Sequence, residues 1–209
     1  MANLALIYDT ETTGLPLWGE PSEDPRQPHI VQLAALMVDI DRNTVLQTLD
    51  LTVAPDGWTI PDEVVAVHGI TTERAAAIGL PERAVVSAFA RMWLRVVDAG
   101  GVRVAFGESF DARIVRIALK RHVGEAEADA WKAGEAQCAM RMATPIVNLP
   151  PTAKMAAARR NAPKSPRLAE AYEFFMGRSL QGAHSALADA RGCLEIWNVM
   201  RGAAVEQAA

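Results

Sequence analysis

The chain has 209 residues, half of them hydrophobic, which suits one domain with a sizeable core. Its formal net charge of −4 and pI near 5.6 exclude a general polyanion binder, so a nucleic-acid partner would need a local basic patch or metal ions. Two cysteines, Cys138 and Cys193, cannot make a disulfide framework, and no segment suits a signal peptide or a membrane span, so we expect a cytoplasmic protein with buried or idle thiols.

The first half of the chain carries most of the strand signals. Runs rich in Leu, Ile, Val and Thr predict three strands, at Leu4–Asp9, Ile30–Ile40 and Thr44–Val53. Glycines and prolines between residues 14 and 25 predict a loop after the first strand. Residues 39–43 predict a hairpin between the second and third strands.

Helices dominate from residue 61 onward. The predicted elements are helices Pro61–Val67 and Thr72–Ile78, a helix Pro81–Ala99 stopped by Gly100-Gly101, a strand Val102–Phe106, a helix from the N-cap Ser109 to Lys120, and helices Glu125–Lys132, Pro166–Met176 and Ser185–Met200. The stretch before Pro166 is expected to be less regular. This order predicts one α/β domain over residues 1–200 with a mixed sheet, followed by a flexible tail at 201–209.

One run of the second half lacks acidic residues. Residues 136–169 contain no Asp or Glu but six basic side chains: Arg141, Lys154, Arg159, Arg160, Lys164 and Arg167. Such a run is either a solvated face or a surface that follows phosphates, and the sequence favours neither interpretation.

The segment IYDTETTG, residues 7–14, places two carboxylates at the end of a predicted buried strand. Residues i and i+2 of a strand point to one face, so Asp9 and Glu11 would project together. Two like charges held side by side resist joint ionisation. The pair therefore indicates a divalent cation, or a shared proton, between the two acids.

Two later segments supply further polar groups. Asp111 stands near the start of a helix directly after a buried strand, where strand ends commonly place functional groups. His184 and Asp189 are five residues apart, a spacing that turns about 140° on a helix. Both can face one site if His184 precedes the helix, with Ser185 at the N-cap and Asp189 inside.

Four carboxylates and one imidazole make a hard, oxygen-rich ligand set. Such ligands suit Mg²⁺ or Mn²⁺ better than zinc, which prefers histidine and cysteine. Two such ions about 3.5–4 Å apart can stabilise the attacking and leaving oxygens of phosphodiester hydrolysis. A histidine beside them can accept the proton of the attacking water.

Five motifs stand in order across nearly the whole chain: DTETTG at 9–14, IVQLA at 30–34, VHGIT at 67–71, SFD at 109–111 and HSALADA at 184–190. Together they resemble the DnaQ-like family of 3′–5′ exonucleases, part of the DEDD superfamily, which includes the proofreading exonuclease subunit of bacterial DNA polymerase III. The resemblance is to the histidine subclass, since Ser185 stands where the tyrosine subclass has Tyr. It implies a ribonuclease H-like α/β fold with a central mixed β-sheet flanked by α-helices.

The resemblance also implies roles for individual residues. Asp9, Glu11 and Asp189 would bind the first of two divalent cations, Mg²⁺ or Mn²⁺. Asp9 would bridge to the second with support from Asp111, and His184 would be the general base. The matches that imply contact with the substrate are Thr10, Thr12, Leu15, Glu63, His68 and Phe110.

The chain departs from the family pattern at two places, which bear on substrate fit more than on the reaction. Phe106-Gly107 stands where the family often has His-Asn, and Gln32 replaces a frequent glutamate.

Several of the implied substrate contacts have a structural alternative. His68 could simply shape a turn, and Leu15 or Phe110 could belong to the core. Conversely, Trp18 or Trp58, both predicted on loops, could stack a base.

The resulting hypothesis is a 3′–5′ exonuclease that acts on single-stranded DNA and releases 5′-mononucleotides. An exonuclease acting on RNA ends would use the same catalytic residues, because discrimination of the 2′-hydroxyl depends on contacts that the sequence does not place. The non-enzymatic alternative is a nuclease-like module that docks a polymerase or another replisome partner.

Overall fold

A six-stranded mixed sheet forms the centre of the computed structural model, which describes residues 3–208. The strands are β1 (Leu4–Thr12), β2 (Ile30–Asp39), β3 (Thr44–Ala54), β4 (Leu80–Pro81), β5 (Val102–Ala105) and β6 (Ala136–Cys138), in the spatial order β4-β3-β2-β1-β5-β6. The pairs β1–β2 and β2–β3 are antiparallel, whereas β1–β5, β5–β6 and β3–β4 are parallel. The predicted mixed sheet and the β2–β3 hairpin are confirmed.

Helices cover both faces of the sheet. They are α1 (Asp62–His68), α2 (Thr72–Ile78), α3 (Glu82–Asp98), α4 (Glu108–His122), α5 (Glu125–Ala133), α6 (Ala139–Val147), α7 (Ala153–Ala157), α8 (Leu168–Met176) and α9 (Ala186–Ala208). Buried side chains of α3, α4 and α5 form one core cluster, and those of α6, α8 and α9 form another. None of the helices in residues 3–208 combines the length and the apolar character needed to cross a membrane.

Alternation along β1 divides its side chains between these two clusters. Leu6 and Tyr8 pack in the cluster of α3, α4 and α5, whereas Ala5 and Ile7 pack in the cluster of α9. Residues 9 and 11 continue the row of Ala5 and Ile7, while residue 10 belongs to the opposite row. The strand therefore directs its two acids towards α9 and the threonine between them towards α4.

The stretch between Lys132 and Pro166 is more regular than predicted. It contains β6, α6 and α7, and Pro145 lies inside α6. In the sequence, a proline at this position suggests that the helix is interrupted, because proline removes one helical hydrogen bond. Ala139, Ala143 and Val147, spaced four residues apart, are nevertheless buried against α8 and α9, and this packing maintains the helix.

The prediction of Ser109 as an N-cap is wrong. Helix α4 begins one residue earlier, at Glu108, and Gly107 occupies the N-cap position without a side-chain cap. Glu108 is drawn inward because its carboxylate accepts a hydrogen bond of 3.1 Å from Nε of the buried Arg103. This ion pair joins residues five apart in the sequence and holds the side chain of Glu108 inside the first turn of the helix.

The ends of two other helices bear on the predictions. Helix α3 ends at Asp98, and Gly100, at φ 67°, donates to the carbonyl of Val97, as the glycine signal predicted. Helix α9 runs to Ala208, past the predicted end at Met200, through a segment rich in good helix formers. The single domain over residues 1–200 and the flexible tail over 201–209 stay predictions, and Ala209 lies outside the described residues.

Buried Glu82 ties the first turn of α3 to two other elements. Its carboxylate accepts hydrogen bonds from the backbone N–H of Ile30 at 3.1 Å and from the rings of His29 and His122 at 2.7 and 3.0 Å. Burial raises the pKa of Glu82, but the hydrogen bonds from His122 and His29 outweigh it, so that the pKa lies at about 2. This ionised carboxylate holds together the start of β2, the start of α3 and the end of α4.

Candidate active site

Three carboxylates from the two ends of the chain converge at the end of β1. Asp9 and Glu11 come from β1, and Asp189 comes from the first turn of α9. One oxygen from each of the three lies within 4.8 Å of the others. The predicted projection of Asp9 and Glu11 to one side therefore brings them to a third acid that lies about 180 residues away in the sequence.

Gln32 fixes the helix that carries Asp189. It lies opposite Glu11 in the register of β1 and β2, and it is buried. Its Oε1 accepts from the backbone N–H of Ala186 at 3.1 Å, and its Nε2 donates to Asp50 at 2.7 Å. The side chain thus caps the N-terminus of α9 from the neighbouring strand. An amide can do both because it is donor and acceptor at once, which gives the glutamine at this position a physical role.

Asp111 lies beside the three converging acids and is held by Thr10. Its Oδ1 accepts hydrogen bonds from the backbone N–H and the hydroxyl of Thr10, at 3.1 and 2.8 Å. Both residues are buried. Because Thr10 lies between Asp9 and Glu11 on β1, its hydrogen bonds hold Asp111 of α4 next to these two acids.

The environment of these acids opposes their ionisation. Burial, then the charges of Asp111, Asp189 and Glu11, raise the pKa of Asp9 well above its usual value. Burial, followed by the charges of Asp189 and Asp111, raises the pKa of Glu11 to about 7.

The other two carboxyls shift in the same direction. Burial raises the pKa of Asp111 to about 7 against the lowering effect of the Thr10 hydrogen bonds, and burial also raises the pKa of Asp189. Four carboxyls with raised pKa values in one place form an oxygen-only donor set that suits a hard divalent cation.

His184 stands directly before α9, as the five-residue spacing predicted. The carbonyl of Ser185 accepts from the N–H of Asp189 at 2.9 Å, so Ser185 holds the N-cap position. The backbone N–H of His184 lies 3.3 and 3.2 Å from the two carboxylate oxygens of Asp189. The residue is exposed and adopts a left-handed φ of 66°, and it lies close enough to Asp189 for its charge to offset part of the raised pKa of that carboxyl.

The predicted substrate contacts of the first strand and its loop differ in availability. The hydroxyl of Thr10 is occupied by Asp111, and that of Thr12 donates to the carbonyl of Gly14 at 2.8 Å. These bonds favour supporting roles for both threonines. Leu15 is 77% exposed, which leaves its side chain free and argues against a core role.

The predicted contacts of α1 lie at its two ends. Glu63 is exposed in the first turn and His68 is half-buried in the last. His68 Nδ1 accepts from the N–H of Ile70 at 3.1 Å, a contact that shapes the turn, and its Nε2 is buried with no hydrogen-bond partner in the described residues. Burial lowers the pKa of His68, and the backbone of Thr12 partly offsets this. His68 therefore shapes a turn and, because Nδ1 accepts, has the N–H at Nε2 left to donate.

The aromatic side chains predicted to contact the substrate differ in whether they pack inside the protein or are exposed. Phe110 is half-buried against the core cluster of α3, α4 and α5. Trp58 stacks on His29, with ring centroids 4.6 Å apart, and is therefore engaged inside the protein. Trp18 is 60% exposed. Of the two tryptophans predicted on loops, Trp18 is the one available to a ligand.

The acid-free run between residues 136 and 169 is partly neutralised by its neighbours. Lys164 and Arg167 both pair with Glu170, at 2.7 and 3.2 Å. The other four cations are exposed and form no ion pair within residues 3–208: Arg141, Lys154, Arg159 and Arg160. Both interpretations of the run remain open for these four.

Comparisons with known proteins bear on the family and the fold of this chain. The family model of RNase T type, described as Exonuclease, matches residues 6–197. Comparison with curated proteins gave no match.

Similar solved structures include Escherichia coli exonuclease I in complex with a dT13 oligonucleotide, at 20% identity and a TM-score of 0.72, covering 95% of this chain and 41% of that chain. A product-bound exonuclease I is similar at 19% identity and a TM-score of 0.71, with coverage of 97% and 44%. A zinc-bound complex of the E. coli enzyme with single-stranded DNA is similar at 19% identity and a TM-score of 0.68, and the match covers 97% of this chain and 41% of that chain. This chain thus spans about two fifths of the length of those chains.

Replacement of Glu11 by Gln is expected to stabilise the metal-free protein. A carboxyl whose pKa is raised from 4.5 to about 7 on folding lowers the free energy of unfolding when it ionises. This loss of stability is absent below pH 4.5, grows between the two pKa values and is complete above pH 7. The variant should therefore gain about 1–3 kcal/mol over wild type at roughly pH 8 in EDTA. Thermal unfolding at several pH values measures this difference.

The same unfolding series, repeated with Mn²⁺, tests whether the acids bind a cation. Mn²⁺ should raise the midpoint of wild type more than that of Glu11→Gln, because the variant offers one charged ligand fewer. Asp56→Asn, at an exposed carboxylate away from the cluster, is the control and should change neither result. A less stable Glu11→Gln protein in EDTA would contradict the assigned repulsion.

Proposed function

The chain belongs to the exonuclease family of RNase T type, with its ribonuclease H-like fold, and from that membership we propose that it hydrolyses phosphodiester bonds at the 3′ end of single-stranded DNA and releases 5′-mononucleotides. The observation that carries the proposal is the convergence of the carboxylates of Asp9, Glu11 and Asp189, with Asp111 beside them. Like charges partly withdrawn from solvent persist where function requires them, and here they form a ready ligand set for cations.

Two divalent cations, Mg²⁺ or Mn²⁺, complete the proposed site. Asp9, Glu11 and Asp189 would hold the first, and Asp9 with Asp111 would hold the second. When bound, the two ions supply charge stabilisation at the attacking and leaving oxygens. Thr10 keeps Asp111 in place through its two hydrogen bonds, and Gln32 keeps Asp189 in place through the cap of α9.

His184 is the proposed general base. Its backbone is bound to Asp189, whereas its imidazole is exposed beside the acids. The side chain can therefore accept the proton of an attacking water without breaking a contact that the fold needs. The hydrolysis breaks the bond between the phosphorus and the 3′ oxygen of the preceding nucleotide.

Single-stranded DNA is the proposed substrate, supported by the exonuclease I structures that contain dT13 or single-stranded DNA. The catalytic groups themselves do not distinguish DNA from RNA. A polymerase or replisome partner stays a prediction from the resemblance to the proofreading subunit.

End-labelled strands test the reaction. With Mg²⁺ or Mn²⁺, a 5′-labelled single strand should shorten one nucleotide at a time and release 5′-mononucleotides, whereas EDTA should stop the reaction. Asp9→Ala should be inactive because it removes the ligand shared by both ions. Asp56→Asn, which removes an exposed carboxylate elsewhere, is the matched control and should retain activity.

The same assay separates the alternatives. Equal digestion by wild type and Asp9→Ala would refute the role of Asp9, and digestion by neither would favour a binding module without catalysis. If a matched RNA strand is degraded faster than the DNA strand, RNA replaces DNA as the proposed substrate.

Variants of His184 test the general base. His184→Ala should lower kcat by roughly 10²–10⁴, because no side chain remains at this position to accept the proton of the attacking water. His184→Asn is the matched control for backbone strain, since Asn tolerates the positive φ of 66° and lacks the base. Equal losses in both variants, with Mn²⁺ affinity retained, are expected. Loss of Mn²⁺ affinity would instead make His184 a metal ligand.

A further inference from the structure

A second candidate site lies on the side of α4 away from Asp111. A cavity of about 240 Å³ is bounded by Trp18 and by side chains of α4 that include Ser109, Arg113 and Arg116. These positions lie on one face of the helix, since they are spaced three to four residues apart. Asp111 points to roughly the opposite face, so the cavity is about one helix diameter, 10–12 Å, from the acid cluster.

The cavity is positively charged, although the protein as a whole is negative. Four cationic residues line it and no acidic residue does: Arg103, Arg113, Arg116 and Lys132. Arg103 and Arg116 are neutralised by Glu108 and Asp129, at 3.1 and 3.3 Å.

The other two cations lack a carboxylate partner within residues 3–208. Arg113 bonds only to neutral oxygens, the hydroxyl of Ser22 at 2.8 Å and the carbonyl of Glu20 at 2.6 Å. Lys132 is exposed and makes neither an ion pair nor a side-chain hydrogen bond. The cavity therefore offers two positively charged side chains that form no ion pair within residues 3–208, with Glu23 as a more distant neighbour of Arg113.

The loop that presents Trp18 is fixed rather than loose. Buried Gln27 accepts from the N–H of Leu17 at 3.0 Å and donates to the carbonyls of Leu17 and Pro21, at 3.0 and 2.9 Å. The loop thereby holds the residue before Trp18 with a pair of hydrogen bonds like those between strands. An exposed aromatic ring on a fixed backbone can stack on a base with little loss of conformational entropy.

The same loop connects this cavity to the acid cluster. It leaves β1 directly after the acids, passes exposed Leu15 and reaches Trp18. Trp18 follows Gly14 by four positions in the chain, which limits the distance between them to about 14 Å. A strand whose 3′ end lies at the acids could follow this loop to the cavity.

We propose that the cavity binds a nucleotide inward of the 3′ end, with Trp18 stacking on its base and with Arg113 and Lys132 neutralising an adjacent phosphate. This rests on the proposed function, because it assigns the cavity to the same strand. Base stacking and phosphate contacts of this kind do not depend on sequence. Anchoring of the loop accounts for the bonds of Arg113 but leaves exposed Trp18 and unpaired Lys132 without a role.

Binding of a single strand in EDTA tests the cavity apart from catalysis. The probe is a 5′-fluorescent single-stranded DNA of roughly ten nucleotides, followed by anisotropy, a length within the range of known single-strand sites. Trp18→Ala should weaken binding by about 5- to 100-fold, the loss of one stacked base, and Trp18→Phe should restore most of it. Lys132→Ala should weaken binding and lower the salt slope by about 0.7, the loss of one single-strand phosphate contact.

Two matched controls replace similar residues elsewhere. Phe174→Ala removes an aromatic side chain that is 54% exposed on α8, and Arg91→Ala removes an exposed cation of α3 that forms no ion pair in the described chain. Neither should change affinity. Thermal unfolding of every variant checks that each is folded.

The outcomes separate the two proposals. Wild-type affinity in both Trp18→Ala and Lys132→Ala, or an equal loss of affinity in the controls, overturns the proposal that the cavity binds the strand. Hydrolysis by the wild-type protein with Mg²⁺ then leaves the proposed function in place. A wild-type protein that neither binds nor hydrolyses the strand overturns both.

Discussion

Mutual repulsion among clustered, half-buried carboxylates is the constraint to which the rest of this structure responds. Asp9 and Glu11 share one row of β1, and α9 brings Asp189 to within 4.8 Å of them. Burial raises the pKa of all three carboxyls, and the charges of neighbouring acids raise the pKa of Asp9 and Glu11 further. Such a cluster costs stability unless a cation or protons compensate it. The fold must therefore hold the acids together by contacts made elsewhere.

Those contacts are polar bonds from residues that are not themselves acids of the cluster. Thr10 binds Asp111 with both its hydroxyl and its backbone, and Gln32 caps α9 from the neighbouring strand. Each bond is short and buried, and each links elements far apart in the sequence. Gln27 acts in the same way on the loop after β1, where paired hydrogen bonds to Leu17 fix the backbone beside Trp18. Polar side chains thus determine the position of the groups proposed to meet metal and strand.

Local patterns in the sequence predict much of this arrangement. The alternation in β1 predicts the common direction of Asp9 and Glu11, and the five-residue spacing of His184 and Asp189 predicts where α9 begins. These signals are local, because side-chain direction follows from the period of a strand or a helix.

The features that the sequence did not predict depend on tertiary contacts of buried side chains. Helix α4 begins at Glu108 instead of following an N-cap at Ser109, because Glu108 pairs with buried Arg103. Helix α6 contains Pro145, and its packing against α8 and α9 outweighs the missing hydrogen bond. The cap of α9 by Gln32 spans 154 residues, so no local window could contain its signal.

The most direct test of the metal cage is a crystal structure with Mn²⁺ and a 5′-mononucleotide, with manganese located by its anomalous scattering. We expect one manganese among the carboxylates of Asp9, Glu11 and Asp189, a second shared by Asp9 and Asp111, and the phosphate of the nucleotide against both. Carboxylates that remain together without any manganese, or manganese bound only elsewhere on the protein, would contradict the account.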